Sequence, residues 1–167
     1  MKKIYSSPFV KVFSEDFKYK NKNYKNFHRV IFKNAAVVIL EHKNKILITH
    51  EYRRGVDKVI FGFPGGHIKR NEKPIIAAKR ELFEETGYRG KYWKHLLSYV
   101  NSATYNCGTE YIYVAKLKKT HQQKLSNELE SIKWITIKNL KKMLKNQTFL
   151  PAGLLAAALY YIQFKNK

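Results

Sequence analysis

Glu81, Glu84 and Glu85 stand at i, i+3 and i+4 in the run Arg80-Glu-Leu-Phe-Glu-Glu-Thr-Gly87, and Gly62-Phe-Pro-Gly-Gly66-His-Ile-Lys-Arg-Asn-Glu72 precedes it. On a helix these three carboxylates share one arc. Ile75, Ala78, Leu82 and Thr86 fall on the adjacent arc, with Ile76 and Phe83 a little further round. The segment thus has an apolar face for packing and a separate acidic ridge. Lys79 falls among the apolar positions, where its stem can snorkel outward. Three carboxylates this close repel one another, and the chain has only 12 acids against 33 bases. Such a cluster suits a divalent cation, since Mg²⁺ and Mn²⁺ take hard oxygen ligands and bridge to substrate phosphates. Arg80 can reach Glu84 one turn on and also hold Glu72, orienting the ligands. The bland alternative is a solvated helix face with i,i+4 pairs. Two acids alone would fit it, but the glycine turn and Glu72, eight residues before Arg80, are far more restrictive.

The elements that must position these groups are legible from local signals. Pro74 suits a first helical position and Gly87 the residue just past the end, so the spacing predicts a helix over Pro74–Thr86. The stretch Val10–Val30 reads as two polar, aromatic strands joined by a turn around Lys20–Asn23. Strand-like runs follow at Ala35–Leu40, Ile46–Tyr52 and Val59–Phe63, with Asn44 a hairpin tip between the first two. Later strands are expected at Leu96–Val100, Glu110–Leu117 and Ile132–Ile137, the last after a polar loop over Lys118–Ser131. Helices over Lys138–Lys145 and Leu150–Phe164 complete the order. Strands and helices mix without regular βαβ spacing, which argues for an α+β or layered αβα arrangement rather than a doubly wound parallel sheet.

Composition bounds the function classes. A chain of 167 residues with 44% hydrophobic and 14% aromatic residues can bury a real core and is not a disordered tail. No apolar run reaches eighteen residues, so a membrane-spanning helix is not expected. No signal peptide is evident, and the single Cys107 excludes an internal disulfide framework and a multi-cysteine zinc site, so a cytoplasmic setting is the default. Cys107 itself reads as a small residue in a turn. The formal charge of +21 should attract polyanions. Only 6 of the 33 basic residues are Arg, they are scattered, and Asn is plentiful, so a bias toward Lys and Asn accounts for the charge without any function.

The pattern Gly66-x5-Glu72-x7-Arg80-Glu81-Leu82-x-Glu84-Glu85-x-Gly87-Tyr88 resembles the Nudix box, with every fixed position filled. More of the chain is similar to one branch, the ADP-ribose pyrophosphatases and related nucleotide-sugar hydrolases. Glu51-Tyr52-Arg53 resembles a motif ending the strand before the box. Residues 1–30 resemble an N-terminal dimerisation region, with residues 31–167 as the hydrolase domain. Glu128-Leu-Glu130 resembles an acidic loop before a strand, and the last helix resembles a closing helix. The segment Asn101–Thr109 lacks a Pro-Gly pair that many members of the branch show.

The resemblance implies an α/β/α sandwich with a mixed sheet and a Mg²⁺- or Mn²⁺-dependent hydrolase of a nucleoside diphosphate linked to another moiety. It implies Glu81 and Glu85 as leading metal ligands, Glu84 close behind, the backbone carbonyl of Gly65 as another and Glu130 as a further ligand. Glu72 belongs to the metal site or its supporting shell, with Arg80 as orienter. The base that deprotonates the attacking water lies in the acidic loop, with Glu128 the first candidate; a solvated loop, pairing with Lys124 and Lys133, is the alternative. Arg53 is a candidate clamp for a substrate phosphate, Arg54 pointing the other way, and Glu110 a candidate contact to substrate or metal. His67 is either near phosphate or solvated. Tyr24, Phe27, Tyr105 and Tyr111 are candidates for stacking a base.

The expected substrate is ADP-ribose or a similar nucleoside diphosphate sugar, and the expected assembly a homodimer. The alternatives are nucleoside triphosphates, dinucleoside polyphosphates or capped RNA on the same catalyst, with nucleic acid a secondary partner, and a non-catalytic module binding a nucleotide sugar or nucleic acid.

Overall fold

The computed structural model describes residues 1–104, 108–120, 126, 129–146 and 151–165. The expectations for Cys107, Tyr105, Lys124 and Glu128 lie outside the described residues. Two sheets are present. The strands β1 (Lys2–Ser6), β2 (Val10–Tyr19) and β3 (Lys22–Phe32) form an antiparallel sheet of their own, in the order β1-β2-β3. Lys20 and Asn21 take left-handed φ of 43° and 60° at the β2–β3 turn, the geometry that matches strand twist in a two-residue hairpin.

The second sheet has seven strands: β4 (Ala35–His42), β5 (Lys45–Arg53), β6 (Lys58–Gly62), β7 (Gly65–His67), β8 (Tyr88–Val100), β9 (Thr109–Thr120) and β10 (Leu129–Thr136). Its main order is β10-β5-β4-β9-β8. β4 and β9 run parallel and every other pair is antiparallel. β4 and β5 pair only at their hairpin tip, Glu41 with Ile46 and His42 with Lys45. Beyond it they splay, β6 filling the gap on β5 and β7 on β4.

The alternation along β4 builds both layers of the core. Ala36, Val38 and Leu40 pack with Ala77, Ala78 and Leu82 of helix α1 (Pro74–Thr86). Val37 and Ile39 face the other way, against Leu140 of α2 (Ile137–Lys145) and Leu154, Ala157, Ala158 and Tyr161 of α3 (Ala152–Phe164). A strand apolar at every position is what a sheet covered on both faces demands. The result is the α/β/α sandwich with a mixed sheet.

Four local expectations need correction. Residues 65–67, read as part of a glycine turn, form the short strand β7. A Cβ on Gly65 would lie 2.5 Å from the Ala36 carbonyl oxygen, so only glycine lets this segment reach β4. β1 was not expected, its five residues all being exposed. β8 begins at Tyr88, not Leu96, because an edge strand tolerates the charges and the glycine that obscured its pattern. The loop expected over Lys118–Ser131 is shorter at both ends: β9 runs to Thr120 and Glu130 lies within β10.

Candidate active site

Helix α1 starts at Pro74 and ends where Gly87, at φ 70°, donates its N–H to the Phe83 carbonyl. The acidic ridge resolves into three environments. Glu85 is 9% exposed, the Glu81 side chain 15%, and that of Glu84 51%. Glu85 shares the buried face with Ala77, Ala78 and Leu82, whereas Ile76 is half exposed. Lys79 is indeed turned outward, its ammonium 5.7 Å from the Trp93 ring centre.

Arg80 ties the segment together. Its guanidinium donates to both Glu72 oxygens at 2.9 and 2.8 Å, to Glu81 at 2.6 Å, to Glu84 at 2.9 Å and to the His67 carbonyl at 3.1 Å. Lys69 N–H adds a further bond to Glu72 at 2.9 Å. The Arg80 bonds hold the Glu72 carboxyl down at about 2, and the three carboxylates raise the guanidinium further above its ordinary range. The fork of Arg80 therefore links the loop before the helix to the carboxylates on it.

Glu85 is the opposite case. Burial pushes its carboxyl up to about 8, with Glu51 and Glu81 adding to the rise; the Gly65 N–H, donated to Oε2 at 3.1 Å, pulls against it. Glu51, on β5, is also buried, and Arg53 Nη2 lies 2.9 Å from its Oε2.

An open cleft of about 890 Å³ lies where β4 and β5 splay. Gly65, Glu81, Glu85, Arg53 and Glu110 all line it. Glu110 sits beside Ala35 in the parallel β4–β9 ladder. Its two oxygens accept from Tyr99 Oη at 2.5 Å and Asn101 Nδ2 at 2.6 Å. A Cβ at Gly66 would lie 2.6–2.8 Å from the Glu81 carboxyl group, so glycine there leaves room for that group. Arg54 points away to the exposed Asp57, 3.2 Å off.

Other candidates are not brought to the cleft. Glu84 and Glu130 are exposed and do not line it, Glu130 sitting at a register shift in the β10–β5 ladder. Tyr24 and Phe27 pack on Phe17 in the N-terminal sheet, with ring centres 4.8 and 5.3 Å from it. Tyr111 packs beneath the sheet on the α1 side. Phe9 instead reaches the cleft from the bend between β1 and β2, its ring centre 6.1 Å from that of His67, and Lys33 and His67 line the wall beside it. Phe9 carries no local signal of this role, because only the packing of the small sheet brings that bend to the cleft. Glu51 was legible only as part of a motif.

Among the described residues no three acidic, His or Cys side chains converge closely enough to hold an ion as they stand. The donor chemistry nevertheless fits a hard divalent cation. Glu81 and Glu85 supply carboxylate oxygens on one wall of the cleft, Glu85 is buried beside like charge, and the cation now between Glu81 and Glu84 is the Arg80 guanidinium.

The family model for the NUDIX domain matches residues 31–156. The chain is 24% identical over 168 residues to an ADP-ribose pyrophosphatase of Bacillus subtilis (strain 168), covering 97% of this chain and 89% of that one. It is 35% identical over 82 residues to a methanol dehydrogenase activator of Bacillus methanolicus, a match spanning 49% of this chain and 44% of the activator. The crystal structure of an ADP compounds hydrolase superposes with a TM-score of 0.80 at 20% identity, covering 99% of this chain and 91% of that one. The box, the two-layered core and a family match over three quarters of the chain agree: the chain belongs to the Nudix hydrolase family, whose members generally use divalent metal ions.

Proposed function

We propose that this protein hydrolyses the diphosphate linkage of ADP-ribose or a similar nucleoside diphosphate sugar to a nucleoside monophosphate and a sugar phosphate. The observation that carries the reading is the cleft itself, where Gly65, just before the box, and the box residues Glu81 and Glu85 share one cavity with Arg53, Glu110 and Phe9. The near full-length likeness to an ADP-ribose pyrophosphatase supports the substrate class.

Glu81, Glu85 and the Gly65 carbonyl are the residues that would hold Mg²⁺ or Mn²⁺, with Glu84 joining once Arg80 yields it; Glu130 is retained only on the resemblance. When bound, the cation neutralises charge on the bridging phosphates and orients the attacking oxygen. Arg80 positions Glu72 and Glu81. Arg53 offers its guanidinium to a phosphate in exchange for part of its bond to Glu51. Glu110, fixed by Tyr99 and Asn101, accepts from substrate hydroxyls, and Phe9 gives an apolar wall for a base or ribose. Glu128 takes the proton of the attacking water, whose oxygen bonds one phosphorus as the bridging P–O bond breaks and its electron pair leaves with the other phosphate. The exposed Ile4, Tyr5, Phe17, Tyr19 and Tyr24 of the small sheet support a homodimer, which sedimentation at micromolar concentration tests. The single cysteine supports a reducing, cytoplasmic setting.

The test is product mass after incubation with Mg²⁺ and ADP-ribose, other diphosphate sugars, nucleoside triphosphates or capped RNA. A monophosphate plus a sugar phosphate from the diphosphate sugars is expected. Turnover confined to triphosphates or capped RNA would move the substrate class, and undiminished ligand binding with no turnover of any of them would make the protein a binding module.

A further inference from the structure

The far edge of the seven-stranded sheet carries a second site. From residue 88 to residue 120 the sole acid is Glu110, at the cleft end, while Arg89, Lys91, Lys94, Lys116, Lys118 and Lys119 supply six cations. Four cationic residues, Lys79, Arg89, Lys91 and Lys118, line a cavity of about 340 Å³ together with Gly90 and Trp93. No ion pair among the described residues neutralises any of these four. In a chain of charge +21 such a patch alone would mean little, but a second feature lies beside it.

Lys91 pairs with Lys116 and Lys94 with Val114, so two residues of β8, Tyr92 and Trp93, oppose one of β9. This is a β-bulge, a device that re-aims side chains at sheet edges. Tyr92 takes φ 55°, a left-handed backbone that costs a bulky residue energy. Tyr92 as a residue is 73% exposed, with the Lys91 ammonium 5.1 Å from its ring centre. Trp93, the other bulged residue, forms the wall of the cavity and donates its indole N–H to the Gly90 carbonyl at 3.0 Å. Gly90 is required there, since a Cβ would lie 2.8 Å from the indole. The bulge thus presents the exposed Tyr92 ring, with the half-buried Trp93 as a pocket wall, amid cations that no ion pair among the described residues neutralises.

We infer that this edge binds single-stranded nucleic acid, with the exposed Tyr92 as the stacking surface, Trp93 walling the pocket beside it, and Lys79, Arg89, Lys91 and Lys118 as phosphate contacts. A basic track interleaved with exposed rings is how strands with free bases are held without sequence readout. An anionic membrane would call for a broad apolar face beside the cations, whereas this edge offers one exposed ring next to a base-sized pocket. The site is separate from the hydrolytic cleft. Ala35 lines the cleft, whereas Lys91 aligns through Lys116 with Glu41, six residues along β4 and roughly 20 Å away.

The probe is a fluorescein-labelled 12-nucleotide single-stranded oligouridine with a 5′-hydroxyl, followed by anisotropy in EDTA at 50 and 200 mM KCl. Lys91→Glu/Lys118→Glu is expected to weaken binding at least tenfold and make the salt dependence shallower. Tyr92→Gly, which relieves the strained backbone and so keeps the fold, should weaken oligouridine binding about fivefold and leave heparin binding unchanged. Lys11→Glu/Lys18→Glu, of equal charge on the separate small sheet, should cost less than threefold. Turnover of ADP-ribose should be unchanged in all three. The inference is overturned if the two charge reversals are equivalent, if Tyr92→Gly binds oligouridine like wild type, or if Lys91 and Lys118 matter for phosphatidylserine vesicles but not for oligouridine.

Discussion

At one end of β4, around Ala35, stand six of the chain's twelve acids: Glu51, Glu72, Glu81, Glu84, Glu85 and Glu110. At the other end, across Lys116 and Lys91, cations gather around the lone Glu41, which pairs with Lys165 at 3.2 Å, and Lys79, Arg89, Lys91 and Lys118 have no ion-paired carboxylate among the described residues. The same strand thus separates a region where clustered acids meet paired cations from one with a surplus of cations. Net charge describes neither. At the acidic end, burial raises Glu85 in the cleft while Arg80 lowers Glu72 beside it, so two carboxyls linked through one short segment are held on opposite sides of their ordinary value. At the basic edge every charge faces water, and the strained element is backbone, at Tyr92.

The largest effect that sharpens this contrast is on stability against pH. A carboxyl raised from 4.5 to about 8 on folding favours its protonated form in the fold. Stability from this group is therefore greatest below about pH 4.5 and falls by about 1.4 kcal/mol per pH unit until about pH 8, on the order of 5 kcal/mol in all. Urea melts in EDTA should show this decline, Glu85→Gln should flatten it, and excess Mg²⁺ should offset it. A wild-type profile as flat as that of the variant would show that Glu85 is not strained by burial.

Next is catalysis. Glu85→Gln should lower kcat on ADP-ribose by ~10²–10³, about 2.7–4 kcal/mol, while the exposed Glu84→Gln costs less. Arg80→Ala should cost roughly 10–100-fold, as a positioning residue does, and the loss should fall in kcat with KM little changed. Smaller again, Arg53→Ala should raise KM roughly tenfold, the size of one charge-assisted bond. Arg54→Ala, whose partner Asp57 is also exposed, should change neither KM nor stability by more than about 0.5 kcal/mol. Equal effects at Arg53 and Arg54 would remove the phosphate clamp.

Much of this was legible in the chain, for reasons that differ by residue. The bounds of α1 were set by local chemistry, Pro74 at its start and Gly87 at its end, and the structure keeps both. The acidic cluster was visible because helical spacing is local. That spacing did not show which acid is buried, because the sheet partner decides it: Glu85 lies over the β4–β7 junction and Glu84 does not. β7 was missed because its strand depends on a missing Cβ at Gly65, against the Ala36 carbonyl, a tertiary requirement. Phe9 was missed for the same reason, since it reaches the cleft through another sheet. The basic charge was plain in the composition, but its concentration around a bulge needed the β8–β9 register.

The most direct test is a Mn²⁺ titration followed by electron paramagnetic resonance at pH 8, with and without a non-hydrolysable ADP-ribose analogue. Wild type should bind Mn²⁺, more tightly with the analogue present, and Glu81→Gln and Glu85→Gln should each weaken that binding at least tenfold. Equal Mn²⁺ affinity in wild type and both variants would contradict the assignment of the cleft as the metal and diphosphate site.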